Sequence, residues 1–258
     1  MKTGKVIALA NQKGGVGKST TAVNLSSAVA SLGKKVLLVD VDPQGNATSG
    51  LGVEKEEVPY SLYDVILGKV KAEEAIIKGV YRNLDLIPSN IDLAGAEIEL
   101  VNAVSRETRL KRVLNGVLAN YSFVFLDCPP SLGLLTINAL TAADGVIIPI
   151  QCEYYALEGL GQLLKTIDLV REYLNPELEI YGVLLTMFDS RTKLAHQVVN
   201  EVKNYFKEKV YKAIIPRSVR VSEAPSYGKP VIFYAPQSSG AKAYMSLARE
   251  FLRGRGKS

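Results

Sequence analysis

Eight consecutive residues, Gln12-Lys13-Gly14-Gly15-Val16-Gly17-Lys18-Ser19, combine closely spaced glycines with two lysines and a hydroxyl. Glycines let successive backbone N–H groups turn toward phosphate oxygens, a lysine before Ser/Thr reaches the β- and γ-phosphates, and the hydroxyl binds Mg²⁺. Lys18 and Ser19 occupy those last two places. The usual pattern opens on glycine, and Gln12 stands there instead. Lys13, at the front of the loop, is a second point charge. It can reach phosphate in its own site or, pointing away, in a neighbour's.

Two further stretches carry carboxylates. Val36-Leu37-Leu38-Val39-Asp40 runs an apolar strand into the polar loop Val41-Asp42-Pro43-Gln44-Gly45-Asn46, and Phe123-Val124-Phe125-Leu126-Asp127 is a second apolar strand ending in Asp before Cys128-Pro129-Pro130. A single Asp after a strand is commonly a cap or a turn residue. Beside a phosphate cradle, such an Asp is how the Mg²⁺ shell is held.

These groups need elements to position them. Strands are expected at residues 6–10, 36–40, 84–88, 123–127, 145–150, 181–186 and 210–215. Helices are expected at 19–32, 92–103, 108–118, 157–173, 194–207 and 239–252, with Gly33 closing the first. The alternation implies an α/β fold: a mostly parallel twisted sheet of about seven to eight strands with helices on both faces, and with reactive groups at the carboxyl ends of the strands. Neither a repeat nor a low-complexity linker interrupts it, so residues 1–258 read as one domain.

Composition agrees. Hydrophobic residues make up 47% of the 258, yet no apolar run approaches the ~20 residues that cross a bilayer. The chain passes directly from Lys5 into a strand, which predicts a soluble, unexported, cytoplasmic protein. Cys128 and Cys152 lie beside apolar runs without zinc-site spacing. Residues 1–185 carry 17 Lys/Arg against 21 Asp/Glu, and residues 186–258 carry 14 against 5, a balance of −4 followed by +9. That segregation suggests a basic face for a polyanion. His196, the sole histidine, falls on an expected exposed helix face and receives no catalytic role.

The motif Lys13 to Ser19, the segment Asp40-Val41-Asp42-Pro43-Gln44-Gly45-Asn46 and the segment Phe125 to Pro130 together resemble the ParA/Soj-type partitioning ATPases of the deviant Walker A group. Similarity extends through residues 151–159 and 216–225, and so covers essentially the whole chain. With the loop starting by residue 12, the resemblance is to the short chromosomal type, without an N-terminal DNA-reading domain.

The resemblance implies an ATP-dependent sandwich homodimer in which Lys13 of each subunit contacts the other's nucleotide. Gly14, Gly15, Val16 and Gly17 would cradle ATP, with Lys18 on the β- and γ-phosphates, Thr20 on the α-phosphate and Pro216 against the nucleotide. Ser19 would bind Mg²⁺, Asp127 would do so through a water, and Asp40 would support it from behind. Asp42 would orient or deprotonate the attacking water. Arg191, Lys193, Arg217, Arg220 and Lys242 would form a surface for non-specific double-stranded DNA. A ParB-like partner would stimulate hydrolysis, and the protein would associate with the nucleoid. A MinD-like membrane ATPase shares the loop, and the amphipathic stretch Tyr244 to Arg253 suits an interfacial helix. That is the alternative reading; the Asp-Pro-Gln-Gly-Asn loop favours partition.

Overall fold

The computed structural model describes residues 4–153 and 160–254. Seven strands, β1 (Lys5–Leu9), β2 (Val36–Asp40), β3 (Ile77–Tyr81), β4 (Leu84–Ile87), β5 (Phe123–Asp127), β6 (Gly145–Gln151) and β7 (Glu179–Thr186), form one sheet in the order β3-β4-β2-β5-β1-β6-β7. All neighbours are parallel except β3 and β4. The helices that matter here are α1 (Lys18–Ser31), α2 (Asn46–Gly50), α3 (Leu62–Leu67), α4 (Ala72–Ala75), α5 (Leu93–Glu99), α6 (Arg109–Leu114), α7 (Leu134–Ala142), α8 (Leu160–Tyr173), α9 (Lys193–Phe206), α10 (Val219–Glu223), α11 (Val231–Tyr234) and α12 (Ser239–Arg253).

Successive strand side chains point to opposite faces, and both faces are dry. Val6, Ala8, Leu37, Val39, Val124 and Leu126 enter one core with residues of α3 and α5 to α9. Ile7, Leu9, Val36, Leu38 and Phe125 enter the other with residues of α1, α2, α11 and α12. The near-continuous apolar runs of the central strands follow from this double coverage. The predicted sheet therefore forms, with seven strands, and each of its central strands ends on the same edge.

Three expectations change. Residues 210–215, expected as the seventh strand, are not one: the backbone touches β7 through the Val183–Val210 bridge and the donations of Tyr211 N and Ile215 N to Val183 O and Leu185 O. Between those contacts the Glu250 carboxylate of α12 accepts from Lys212 N at 2.9 Å and Ala213 N at 3.0 Å, so a side chain takes the donors that a ladder would need. The seventh strand is instead β3, a half-exposed edge whose Lys78 and Gly79 hide it from pattern reading. It turns into β4 through Asn83, held at φ 64°. The helices expected at 92–103 and 108–118 are shorter; α5 ends at Glu99, and the second is a 3₁₀ turn at Arg106–Thr108 followed by α6.

Helix α7, which the sequence reading missed, has no polar stripe because Thr136, Asn138 and Thr141 are buried along with its apolar residues. Asn138 explains one of them: it accepts from Leu110 N and donates to Arg106 O and Leu134 O. The start of the helix expected from residue 157 lies outside the described residues, and α8 runs from Leu160. No helix among the described residues is long and apolar enough to cross a membrane. Tyr244, Leu247, Ala248 and Phe251 of α12 are buried in the sheet core, so its apolar face is already occupied and unavailable to a lipid interface.

Candidate active site

The glycine-rich loop links β1 to α1 at the carboxyl edge of the sheet. Gly15 (φ 73°) and Gly17 (φ 86°) are left-handed, a conformation that side chains at these points would resist. Asn11 anchors the front of the loop: its Nδ2 donates to Pro149 O of β6 at 2.7 Å and its Oδ1 accepts from Lys13 N at 3.0 Å. Thr186 at the end of β7 holds the middle by donating to Val16 O at 2.9 Å. Neither anchor was found from the sequence, because each acts across elements distant along the chain.

Lys18 is buried and its Nζ donates to Lys13 O at 3.1 Å. Burial lowers its pKa, while Asp127 and Asp42 among its neighbours pull the other way. Asp40 and Asp127 are register partners at the tips of β2 and β5, both fully buried. Burial pushes Asp40 up to about 6 against three hydrogen bonds, from Asp42 N, Thr48 N and Thr48 Oγ1, that hold it down. Asp127 is pushed well above the carboxylate range, first by burial and then by the Asp40 charge. Among the described residues neither of its oxygens meets a hydrogen-bond partner of good geometry, and the neighbouring Ser19 hydroxyl eases the charge.

A buried carboxylate beside a hydroxyl at the head of a helix suits a cation. Mg²⁺ keeps several waters and needs only one or two protein groups besides phosphate oxygens. The residues present therefore fit it, although no group of three or more His, Cys, Asp or Glu among the described residues forms a metal cluster by itself.

Above these groups opens a cavity of about 440 Å³, lined by Gly14, Gly15, Gly17, Lys18, Ser19, Thr20 and Asp42. That volume is in the range for a nucleotide-sized ligand. Asn46 and Pro130, from the two motif segments, also line it, as do Asn24, Ser49, Met187 and Lys229, which were not anticipated. Met187 holds a left-handed backbone, φ 52°, costly for a residue with a side chain and of the kind that gathers at functional sites. Pro216 lies in an adjoining cavity of about 180 Å³ that shares Gly17, Thr20, Met187 and Pro225 with the first. Lys13, Val16, Asp40 and Asp127 line neither: Lys13 is half-exposed at the rim, and the two carboxylates sit beneath Asp42 and Lys18.

The basic residues expected to form one face are partly paired with carboxylates. Phe188 bridges to Pro216, bringing the loops after β7 and before α10 together. There Arg191 forks onto Asp189 at 2.9 and 2.7 Å, Arg217 pairs with Glu153, and Arg220 pairs with Glu223 at 2.9 Å. Arg217 also lowers the pKa of Asp189, so Arg191 and Arg217 share one neighbourhood. Lys193 opens α9 and Lys242 lies in the first turn of α12, both exposed. Gly240, where a Cβ would overlap Val221, packs the start of α12 onto α10. His196 is exposed, as expected; its Nε2 lies 3.1 Å from Ser190 O and its ring stands edge-on to Phe188, away from the cavity.

The chain matches the AAA domain family described as AAA_31 over residues 4–180. It is 62% identical over 247 residues to the sporulation initiation inhibitor protein Soj of Bacillus subtilis, covering 96% of this chain and 98% of that protein. It is 53% identical over 250 residues to the chromosome partitioning protein ParA of Myxococcus xanthus, covering 97% and 88%. Among solved structures, the cobyrinic acid a,c-diamide synthase of Mycobacterium smegmatis with bound ADP and magnesium superposes with a TM-score of 0.86 at 41% identity, covering 97% and 94%.

Proposed function

The chain belongs to the ParA/Soj family of chromosome-partitioning ATPases, and from that premise we propose that it binds Mg²⁺ and ATP in the loop cavity and closes into a homodimer. The ATP-bound dimer holds double-stranded DNA without regard to sequence and releases it after hydrolysis, which a ParB-like partner accelerates. The whole chain acts as one ATPase domain at the nucleoid. The observation that carries the reading is Lys18, buried against Asp127 and Asp42 beneath a glycine cradle. The synthase name of the structural neighbour carries less weight, since fold alone does not fix reaction and the partition relatives are closer in sequence. The membrane-associated alternative is not favoured, because α12 is packed.

In this reading Lys18 binds the β- and γ-phosphates and Thr20 the α-phosphate, with Pro216 beside the base. Ser19 and, through a water, Asp127 hold Mg²⁺, and Asp40 steadies them from behind. When bound, Mg²⁺ would supply positive charge against the phosphates. Asp42 orients the attacking water and accepts its proton, and position and charge lower most of the barrier. Lys13, at the rim, reaches the nucleotide of the second protomer.

A Cβ placed on Gly14 or Gly15 would meet nothing within 4 Å among the described residues, which leaves room for an approaching copy. Gly14→Val is therefore expected to keep nucleotide binding and lose ATP-dependent dimerisation. Light scattering with Mg-ATP checks this; a dimer of normal affinity would contradict the sandwich.

The direct test of the function is DNA co-sedimentation with ATP, ADP or no nucleotide, beside liposomes; retention on DNA only with ATP is the expected outcome. Arg217–Glu153 and Arg220–Glu223 are exposed ion pairs weakened by solvent screening, so DNA phosphates can replace the carboxylates. Changing both arginines to Ala should weaken binding alike for all sequences and reduce the salt slope by about two. An unchanged slope would move the contact to Arg191, Lys193 and Lys242.

A further inference from the structure

The loop that carries Asp42, between β2 and α2, is held from beneath by one buried hydroxyl. Thr48 of α2 donates to Asp40 Oδ2 twice, from its backbone N at 2.8 Å and from Oγ1 at 2.7 Å. The same Oγ1 accepts from Ser89 N, beyond the end of β4, at 3.0 Å. The other oxygen of Asp40 accepts from Asp42 N at 3.2 Å. A continuous chain of hydrogen bonds thus runs from the Asp42 amide through the Asp40 carboxyl group and the Thr48 hydroxyl to the Ser89 amide. Asp40, Thr48 and Ser89 are all fully buried, so bulk water does not compete for these bonds.

The chemistry of the middle position is restrictive. It must donate to a carboxylate and accept from an amide at once, which a hydroxyl does and an isosteric methyl does not. The backbone is fitted to the same point: Gly45 is left-handed, φ 62°, and a Cβ there would stand 2.8 Å from Ser89 O. Asp42 completes the loop by accepting from Gln44 N at 2.9 Å, with its side chain beside the cavity. Thr48 itself does not line the cavity.

We propose that Thr48 is a positioning residue for hydrolysis, fixing Asp42 through Asp40 without touching the nucleotide. The inference rests on the reading of Asp42 as the group that holds the attacking water. Without the hydroxyl, Asp40 loses a donor and Ser89 N loses its acceptor, and the loop must move to satisfy them. Displacing a positioned group by about 1 Å can cost about 100-fold in rate. Lys18, Ser19 and Thr20 sit on α1 and are spared, and the Thr48 backbone N still donates to Asp40 Oδ2 and keeps Asp40 behind the Mg²⁺ site, so binding should survive.

The test compares Thr48→Val, Thr48→Ser and Asp42→Ala by Mg-ATP calorimetry and single-turnover hydrolysis. For Thr48→Val the rate should fall by about 10- to 100-fold with the Kd within about threefold of the parent, and Thr48→Ser should restore the rate to within about threefold. Turnover near the parental rate in Thr48→Val overturns the proposal. So does a loss of affinity that accompanies the loss of rate, or a Ser variant no better than Val. Asp42→Ala should be inactive; if it turns over normally, the water-positioning reading fails and takes this inference with it. An inactive Asp42→Ala beside a normal Thr48→Val overturns the role of Thr48 alone. Should the Val chain fail to fold, Thr48→Ala replaces it under the same criteria. Amide exchange on the unaltered protein needs no variant: the Asp42, Thr48 and Ser89 amides should exchange slowly as one group, and fast exchange at Asp42 alone overturns the clamp.

Discussion

Replacing Lys18 with alanine is expected to abolish ATP binding at working concentrations. Its ammonium is buried, points back to the carbonyl of Lys13, and stands among Asp42 and Asp127 at the floor of the cavity. In the free protein those carboxylates partly offset the cost of burying the charge. In the bound state the β- and γ-phosphates become its partners. Deletion therefore does two things: it removes a charge-assisted hydrogen bond, and it leaves the phosphates facing acidic groups without an intervening cation. Breaking a buried charge pair from one side costs about 3 kcal/mol or more, which is at least ~100-fold in Kd. Arginine should not rescue the site, because its planar fork cannot occupy the space of a point charge against the Lys13 carbonyl. Calorimetric titration with Mg-ATP gives the answer directly, and a Kd within a few-fold of the parent would end the assignment.

The parts of the site that were legible in the sequence are those built from contiguous residues. The loop from Lys13 to Ser19 announces itself because strand, glycines and helix follow each other along the chain, and the structure places them in that order. Asp40 and Asp127 were legible for a related reason: each ends an apolar strand, and parallel strands deliver their ends to one edge. That they are register partners was not legible, since it depends on β5 inserting between β1 and β2. The same limit hid Asn11, whose use appears only against Pro149, and Lys229, which reaches the cavity from a segment packed over α1 through the Val231 N to Asn24 Oδ1 bond at 2.6 Å. Residues 210–215 have the composition of a strand, and what overrides it is Glu250, a side chain 38 residues from Lys212 and 37 from Ala213 along the chain. Charge counting found the basic segment but not its pairing: a sum over residues 186–258 cannot see Glu153, which comes from β6's end to meet Arg217.

Asp127→Asn should make the free protein more stable and the bound protein less so. Without a cation the Asp127 carboxyl group is fully buried, meets no hydrogen-bond partner of good geometry among the described residues, and faces the charge of Asp40. Burial and that charge raise its pKa above the ordinary value. Between the ordinary and the raised value, the folded protein retains a proton that the unfolded chain has released, so stability falls as pH rises through that window. Asparagine has the shape of the protonated acid and never ionises. The variant should therefore match the parent near pH 4 and exceed it at pH 8, where the parent is held back by its buried carboxylate. Lys18 opposes these effects least strongly, so relieving the buried charge should outweigh the loss of its attraction and raise the Tm at pH 8. The same change removes the anionic anchor for Mg²⁺. Added Mg-ATP should then raise the Tm of the variant no more than ATP with a chelator does, whereas the parent should show a clear Mg²⁺-dependent increment, since a ligand stabilises only the state that binds it. Thermal melts at pH 4 to 8, with ATP plus Mg²⁺ or plus chelator, measure both effects in one series. A variant that is less stable at every pH would make Asp127 a structural anion. A full Mg²⁺ increment in the variant would move the ion to other ligands.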